Sequence, residues 1–406
     1  MSMTTVPELR EMRETHPWLT FGLDLERSGP HLWLALGEAK ALLDTLGGMP
    51  VLPEVQEELY SIYLARGALA TVAIEGNTLT EEQARAQVRG SLHLPSSQEY
   101  LAQEIQNVID ACDDIKRRLV EHGVAKLSPE RIEEFNGEVL QGGIPLADGA
   151  VPGRFRRPGE DVVVSGVGYR GLPGRYVRQA MSHLCEWLSS SDFHTDRADL
   201  EIPFAILKSI VAHLYIAWIH PFGDGNGRTA RLVEYYLLLC AGAPDVAAHL
   251  LSDHYNKTRA DYYRQLARSS QSGGNTIPFC AYAARGFADG LKEQIEFIKA
   301  QQLEIVFGGH VRDVLRDMSP DRAERQRTLV MALAERWPKP AARSEIRYLT
   351  PALAKMYAHT TEKTVTRDLT ALTDKKLITH ERRGQVKANL DAIKAFLPAR
   401  FSNLSE

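Results

Sequence analysis

The stretch "HPFGDGNGR", from His220 to Arg228, decides which fold we expect for this chain. The apolar run "ILKSIVAHLYIAWI" precedes it and "RLVEYYLLLC" follows it, and both runs have the composition of buried helices. The stretch is therefore a loop between the carboxyl end of one core helix and the amino end of the next. Its glycines, Gly223, Gly225 and Gly227, permit positive φ angles that turn several backbone amides inward.

The loop has the residue types of a phosphate site. Inward amides and the open amino end of the following helix together attract anions. Arg228 and Arg231 are three residues apart, hence neighbours on that helix, and guanidinium groups suit phosphate oxygens. Asp224 can hold Mg²⁺ that bridges two phosphates, and His220 can act as a general base near neutral pH. The pattern predicts a site for a magnesium-bound nucleotide.

Simpler interpretations of the loop exist. The glycines alone are typical of a helix–helix turn, in which His220 would only cap the first helix. A calcium loop fits poorly, because its later acidic ligands are missing. A P-loop is excluded, because Gly-x-x-x-x-Gly-Lys-Ser/Thr does not occur. A histidine, an acid and two arginines at these spacings favour the nucleotide site.

The twelve residues from His220 to Arg231 resemble the signature of the Fic family, His-x-Phe-x-Asp/Glu-Gly-Asn-Gly-Arg-x-x-Arg, at every fixed position. The resemblance implies a protein adenylyltransferase, in which a Ser, Thr or Tyr hydroxyl of a target protein attacks the α-phosphate of ATP and receives AMP. It implies His220 as the base, Asp224 as the Mg²⁺ ligand and Phe222 as a buried anchor. The residues that it implies for phosphate binding are Gly225, Asn226, Gly227, Arg228 and Arg231. Family members with Lys at the position of Gly227 phosphorylate instead, so Gly227 favours AMP transfer.

Two further stretches resemble the same family, so the resemblance covers roughly residues 50–290. "GRFR" (153–156) with "VVVSG" and Pro173 resembles the segment that forms the flap, a hairpin that pairs with a target strand. Leu172 stands where the family often has a first proline. "YNKTRADYYRQL" resembles the adenine-side helix and implies Asn256 and Tyr263 near the base, although tyrosines at helical spacing are also typical of a core.

"TVAIEGN", residues 71–77, resembles the family's inhibitory motif Ser/Thr-x-x-x-Glu-Gly/Asn. The resemblance implies that Glu75 pairs with Arg231. Such a pair is bidentate and charge-assisted, and while it lasts Arg231 cannot hold a γ-phosphate. Glu75-Gly76-Asn77 is equally typical of a helix end with glycine as the stop signal. The same glutamate could also align a water molecule that removes AMP from a target, and the sequence leaves both roles open.

Elsewhere in the first 300 residues the pattern is mostly helical. Apolar spacing predicts helices over 30–46, 53–75, 97–121, 175–189 and 203–219. Thr80 before "EEQARAQVRG" is a helix cap. Residues 140–175 are rich in glycine and proline around "DVVVSG", which predicts a hairpin between loops.

The residues after 300 have a different pattern. "PDRAERQRTLVMALAERW" predicts a helix, and residues 360–390 predict a helix, a strand, an Arg-Arg-Gly turn and a second strand. This order is typical of a winged helix, with residues 364–375 as the recognition helix. The side chains that could meet DNA phosphates are Arg367, Lys375, Lys376, Arg382 and Arg383. A protein–protein adaptor has the same pattern.

Composition bounds the class of protein. The 406 residues are 44% hydrophobic and 25% charged with a net charge of −4, so bulk charge does not make the chain a polyanion binder. Four cysteines without C-x-x-C spacing indicate a reducing, cytoplasmic setting. We expect no signal peptide and no membrane span, because the apolar runs are interrupted.

Together these patterns predict a mainly α protein: a Fic-type helical bundle with a small β-hairpin flap, and a C-terminal winged-helix (α+β) domain. We expect an N-terminal region over 1–95 with an inhibitory helix at 53–77, a catalytic core over 96–300 and the winged-helix-like domain over 301–406. The predicted function is an autoinhibited protein adenylyltransferase that uses ATP and Mg²⁺. Alternatives are phosphoryl, UMP or phosphocholine transfer by the same site, and a DNA-binding regulator that senses nucleotide. Candidate partners are a target protein, DNA and a second copy of the chain.

Overall fold

The computed structural model describes residues 7–51, 53–163 and 170–393. Within them the chain is mainly helical, which confirms the predicted fold class, and the described strands form one small sheet. The chain divides into two compact units, residues 1–295 and 296–406. Residues 1–95 belong to the same unit as the helices around the glycine-rich loop.

The first unit is built from helices joined by loops. These helices are α1 (Pro7–Thr15), α2 (Pro30–Gly47), α3 (Pro53–Ala73), α4 (Glu81–Val88), α5 (Glu99–His122), α6 (Pro129–Val139), α7 (Gly174–Leu188), α8 (Glu201–Ile219), α9 (Asn226–Cys240), α10 (Asp245–Ala248), α11 (Leu250–Lys257) and α12 (Arg259–Gln271). The next helix, α13 (Ile277–Val314), contains the boundary between the two units.

Helices α8 and α9 form the centre of the first unit and pack against each other along their length. Both are buried on nearly all sides, as their composition predicts, and the large side chains Tyr215 and Trp218 of α8 are inaccessible to solvent. Helix α8 is long and apolar enough to cross a membrane, but 72% of its most apolar window is buried in the protein, as in a core helix. This pair fixes the two ends of the glycine-rich loop.

Helix α3 places the segment that resembles the inhibitory motif. It ends at Ala73, two residues earlier than the spacing predicts, and the chain then turns through residues 74–76. Gly76 has a φ of 111°, which is the left-handed stop expected of glycine after a helix. Helix α4 follows with the predicted cap at Thr80, whose side chain and backbone form a reciprocal capping box with Gln83. Glu75 therefore projects from a fixed turn.

The glycine- and proline-rich segment before α7 lies against the loop that follows α8. Arg156 N–H donates to Pro221 O at 2.8 Å, and Leu172 N–H donates to Ile219 O at 3.1 Å. Val163 and Arg170 form an antiparallel bridge, as the predicted hairpin requires. The tip of that hairpin, residues 164–169, lies outside the described residues.

The second unit combines helices with a three-stranded antiparallel sheet. Its elements after α13 are α14 (Pro320–Glu335), β1 (Ala341–Ala342), α15 (Pro351–Tyr357), α16 (Glu362–Asp374), β2 (Ile378–His380) and β3 (Gln385–Ala388). The strand order is β1-β3-β2, with Ala341 opposite Val386 and Thr379 opposite Lys387. The helix and the two strands predicted within 360–390 are present, while the winged helix as a specific fold stays a prediction.

Candidate active site

His220 occupies an unusual backbone position at the end of α8. Its N–H donates to Ile216 O at 2.9 Å, so it caps the helix, and its φ and ψ of 52° and 61° are left-handed. The ring Nδ1 lies 3.4 Å from Ala217 O. Since a carbonyl oxygen only accepts, Nδ1 carries the proton of the neutral ring and Nε2 carries the lone pair. Capping and a role as base are therefore compatible.

The pKa of the His220 imidazole is lowered from 6.5 to about 4, chiefly because burial disfavours the charged ring. The Arg156 guanidinium lowers this pKa further, whereas the Ala217 carbonyl and the carboxylates of Glu75 and Asp224 raise it. The ring is therefore neutral, and able to accept a proton, at physiological pH.

The glycine-rich loop is held by its own asparagine. Phe222 N–H donates to Asn226 Oδ1 at 2.9 Å, and Asn226 Nδ2 donates back to Phe222 O at 3.0 Å. Phe222 is fully buried, as the family resemblance implies. Gly225 has a φ of 75° and caps the amino end of α9. Because the side chain of Asn226 is occupied in this way, its backbone N–H is the group that it can offer to an anion.

A cavity of about 480 Å³ lies over this loop. That volume falls in the range of pockets that hold small ligands, roughly 300–1,000 Å³. The cavity brings together residues that are far apart in sequence. Of the predicted site residues, those that line it are Glu75, His220, Asp224, Gly225, Asn226, Gly227 and Tyr263. Val162 and Val163 of the flap segment line it as well.

Arg231 and Glu75 form the predicted ion pair. Arg231 Nη2 donates to Glu75 Oε1 at 2.6 Å and to Thr71 O at 2.7 Å, so Thr71 contributes its carbonyl. Burial alone would raise the pKa of the Glu75 carboxyl, but the Arg231 guanidinium outweighs it and lowers this pKa below its ordinary value. Glu75 is therefore ionised at neutral pH. The hydrogen bond joins one nitrogen to one oxygen, whereas the sequence predicts a bidentate pair.

The Glu75 carboxylate also lies against the amino end of α9. A Cβ atom placed on Gly227 would come within 2.1 Å of Glu75 Oε1 and 3.0 Å of Arg231 Nη1. Only glycine allows this approach. Within the described part of the chain, the buried Nε and Nη1 atoms of Arg231 have no hydrogen-bond partner. Unpaired buried donors cost roughly 1–3 kcal/mol each, and an anion bound beside Gly227 would lie close to Nη1 and could satisfy it.

Arg228 is held by two carboxylates. Nη2 donates to Asp224 Oδ1 at 2.9 Å and Nη1 donates to Glu104 Oε1 at 3.1 Å. Glu104 Oε2 in turn accepts from Asn77 Nδ2 at 2.9 Å. This chain of contacts connects the turn that carries Glu75 with the first arginine of the signature. Nothing in the sequence singles out Glu104, because it lies in an ordinary amphipathic helix.

Asp224 fits a role as a ligand of Mg²⁺. Its Oδ2 accepts from Ala147 N–H at 3.0 Å, and its Oδ1 accepts from Arg228 Nη2 and from Gly225 N–H. A carboxylate has about four acceptor sites, so capacity remains for a cation. The described residues contain no group of three or more His, Cys, Asp or Glu side chains that could hold a metal. Magnesium bound here would therefore take its other ligands from phosphates and water, as is usual for Mg²⁺.

The wall of the cavity that the family resemblance assigns to adenine differs in detail from the expectation. Tyr263 lines the cavity together with Tyr262, which the sequence did not single out, whereas Asn256 is absent from the described lining residues and its role stays a prediction. The Tyr262 hydroxyl lies 2.8 Å from His213 Nε2, and His213 Nδ1 lies 3.0 Å from Glu234 Oε2. These three side chains are buried. They fix one wall of the cavity.

Comparison with known proteins agrees with this geometry. Residues 126–238 match the family model described as Fic/DOC family. The protein adenylyltransferase fic-1 of Caenorhabditis elegans is 26% identical over 273 residues, which are 67% of this chain and 47% of that protein. The chain spans about half the length of the curated relatives it matches.

Solved structures show the same fold. Fic-1 from C. elegans superimposes with a TM-score of 0.53 at 25% identity, over 66% of this chain and 73% of that one. A Fic family protein from Desulfovibrio desulfuricans G20 gives a TM-score of 0.54 over 89% of this chain and 96% of its own, at 19% identity. Residues 126–238 of this chain therefore form a domain that matches the Fic/DOC family.

Proposed function

We propose that this chain transfers AMP from ATP to a Ser, Thr or Tyr hydroxyl of a target protein or of itself. The observation that carries the proposal is one shared cavity, which the neutral His220 and the amino end of α9 both line. Helix amino ends bind phosphate, and a neutral imidazole accepts a proton from an attacking hydroxyl. The name of the C. elegans relative, protein adenylyltransferase, supports the same reaction.

The transfer step follows from these positions. The target hydroxyl oxygen forms a bond to the α-phosphorus while its proton moves to His220 Nε2. The bond between the α-phosphorus and the oxygen that bridges to the β-phosphate breaks, and pyrophosphate leaves with that electron pair. Backbone amides of residues 225–227 and the donors of Arg231 would hold the phosphates in line for the attack. Magnesium held by Asp224 would neutralise part of the phosphate charge.

We further propose that Glu75 inhibits the transfer. Its carboxylate lies where the first turn of α9 would meet a phosphate, and it uses the Arg231 nitrogen that a γ-phosphate needs. ATP would then bind in a pose unsuited to attack, since carboxylate and phosphate repel each other. The same carboxylate next to His220 could align a water molecule for removal of AMP. Both roles rest on the one ion pair.

Labelled ATP tests the reaction class. Purified protein carrying Glu75→Gly is incubated with ATP labelled on either the α- or the γ-phosphate, and label bound to protein is measured after denaturation. We expect label from the α-phosphate and none from the γ-phosphate. The reason is that the proposed attack on the α-phosphorus leaves AMP on the protein and releases the γ-phosphate within pyrophosphate.

Two results would contradict AMP transfer. Retention of the γ-label would indicate phosphorylation by the same site. Absence of label from either position, together with tight ATP binding, would indicate a nucleotide sensor. A parallel reaction with labelled UTP or CDP-choline separates the remaining transfer classes.

DNA binding by the second unit is a separate proposal. Its support is the helix α16 beside the β2–β3 hairpin and its basic turn. The exposed face of α16 carries Lys363 and Arg367 but also Glu362 and Asp374, so it is not strongly cationic. A random duplex whose gel shift weakens with added salt would support contacts to phosphates. No shift at low salt would favour a protein partner.

A further inference from the structure

A single buried arginine contacts both the main chain at the end of α8 and the flap segment. Arg156 is only 4% exposed. Its Nε donates to His220 O at 2.9 Å, and its Nη2 donates to Ile219 O at 3.3 Å. The same Nη2 donates to Leu172 O at 2.6 Å, and Nη1 donates to Glu160 O at 2.9 Å. Four carbonyl oxygens from three stretches of chain thus converge on one guanidinium.

Two of these carbonyls end helix α8. The last carbonyls of a helix lack partners inside the helix and carry its partial negative charge, so a cation placed there is stabilising. His220 itself is left-handed, a conformation that side chains other than glycine adopt at a steric cost. The contact to His220 O therefore fixes the peptide group that turns the imidazole toward the cavity.

The backbone around Arg156 is as closely packed as its side chain. A Cβ atom on Gly171 would lie 3.1 Å from Arg156 Nη2 and 3.2 Å from His220 Cβ. Gly171 N–H donates to Val162 O at 3.0 Å, which joins the two described sides of the flap segment. The guanidinium, the flap segment and His220 thus form one packed group.

We propose that Arg156 is a positioning residue, which fixes the main chain of His220 and couples it to the flap segment through their carbonyl oxygens. The predicted effect on kcat rests on the proposed AMP transfer. The predicted effect on the position of His220 rests only on the four hydrogen bonds. Arg156 does not line the cavity among the described residues, so it acts through His220. A target strand that pairs with the flap would then lie against a segment bonded to the same guanidinium as the base.

The test uses the full chain with Glu75→Gly as the parent and compares Arg156→Met, Arg156→Lys and the control Arg175→Gln. Arg175 is an exposed arginine of α7 outside the flap segment, so it controls for loss of a nearby cation. The measurements are kcat, KM for ATP, the Kd of ATP and the NMR signals of the His220 ring in histidine-labelled protein. The signals of His220 are identified by their loss in His220→Ala.

We expect Arg156→Met to lower kcat by about 10²-fold, the effect of moving a reacting group by roughly 1 Å, with the Kd of ATP unchanged. The His220 ring signals should move in the same variant. Arg156→Lys should have a kcat about tenfold higher than that of Arg156→Met, because an ammonium keeps the charge but reaches only some of the carbonyls. Arg175→Gln should match the parent.

An Arg156→Met protein with parental kcat and parental His220 signals would overturn the proposal. Equal losses in kcat and ATP affinity would also overturn it, since they would indicate a general disturbance of the pocket. If Arg156→Met does not fold, the test uses Arg156→Lys, and a folded Arg156→Lys protein with the kcat of the parent would overturn the proposal. Because the NMR signals do not depend on turnover, failure of AMP transfer in every variant remains distinguishable from failure of this inference.

Discussion

We expect protein carrying Glu75→Gly to incorporate AMP about 10²-fold faster than the wild type, because Arg231 would become available to the γ-phosphate. In the wild type Arg231 Nη2 is bonded to Glu75 Oε1 at 2.6 Å, and the carboxylate lies against Gly227 at the amino end of α9. Removing it takes away both a competitor for the guanidinium and a negative charge beside the phosphates. The measurement is the initial rate of α-labelled AMP incorporation at saturating ATP.

Two Glu-to-Gln variants separate the ion pair from a general effect on α3. Glu75→Gln keeps the size of the side chain but removes its charge, so the bond to the Arg231 guanidinium becomes weaker and we expect a rate between those of wild type and Glu75→Gly. Glu58→Gln removes an exposed carboxylate from the same helix and should leave the rate unchanged. Equal rates for wild type and Glu75→Gly would show that Glu75 does not inhibit the transfer.

The central loop could be predicted from the sequence because its chemistry is contiguous. The residues from His220 to Arg231 include the histidine, the acid, the glycines and the arginines of the predicted site within twelve positions. Helix spacing on either side then determines where the loop must lie. The simpler interpretation of His220 as a helix cap is also correct, since His220 both caps α8 and lines the cavity. Glu75 was predictable for another reason, because a short motif marks it.

The contacts that the sequence could not reveal are long-range. Glu104 reaches Arg228 across 124 residues, and Arg156 reaches His220 across 64. Glu104 belongs to an amphipathic helix in which a partly buried glutamate has no distinguishing neighbour. Arg156 was visible only as part of "GRFR", since its partners are carbonyl oxygens, which every residue possesses. Tyr262 and Tyr263 are adjacent, so helical spacing alone could not tell that both of them line the cavity.

The fold itself was predictable where the apolar pattern was strong. Helices α5, α7 and α8 begin and end close to the predicted residues, because their buried faces recur at regular spacing. Helix α3 ends early since the chain must turn to present Glu75, a tertiary requirement that periodicity does not contain. Short strands such as β1, with two residues, leave no periodic signal. Their pairing depends on the neighbouring strand β3 rather than on local sequence.

Replacing His220 by alanine in the Glu75→Gly protein should lower AMP transfer by about 10²–10⁴-fold, the usual contribution of a positioned general base. The Kd of ATP should stay the same, because the phosphate contacts assigned to residues 225–231 do not involve the imidazole. His122→Ala removes an exposed histidine of α5 and should match the parent. A loss of ATP affinity as large as the loss of rate would indicate that the imidazole binds nucleotide instead.

The pH dependence of kcat/KM gives an independent measure of the same group, because it reports the pKa of the base in the free enzyme. Burial lowers the pKa of His220 to about 4. The ring is neutral above that pH and protonated below it, so activity should be retained as the pH falls through 6.5 and lost only near 4. An ordinary exposed imidazole would lose its function as a base near its unperturbed pKa of about 6.5. A profile that falls near 6.5 would therefore place His220 in water, outside the buried position from which it can take the proton of the attacking hydroxyl.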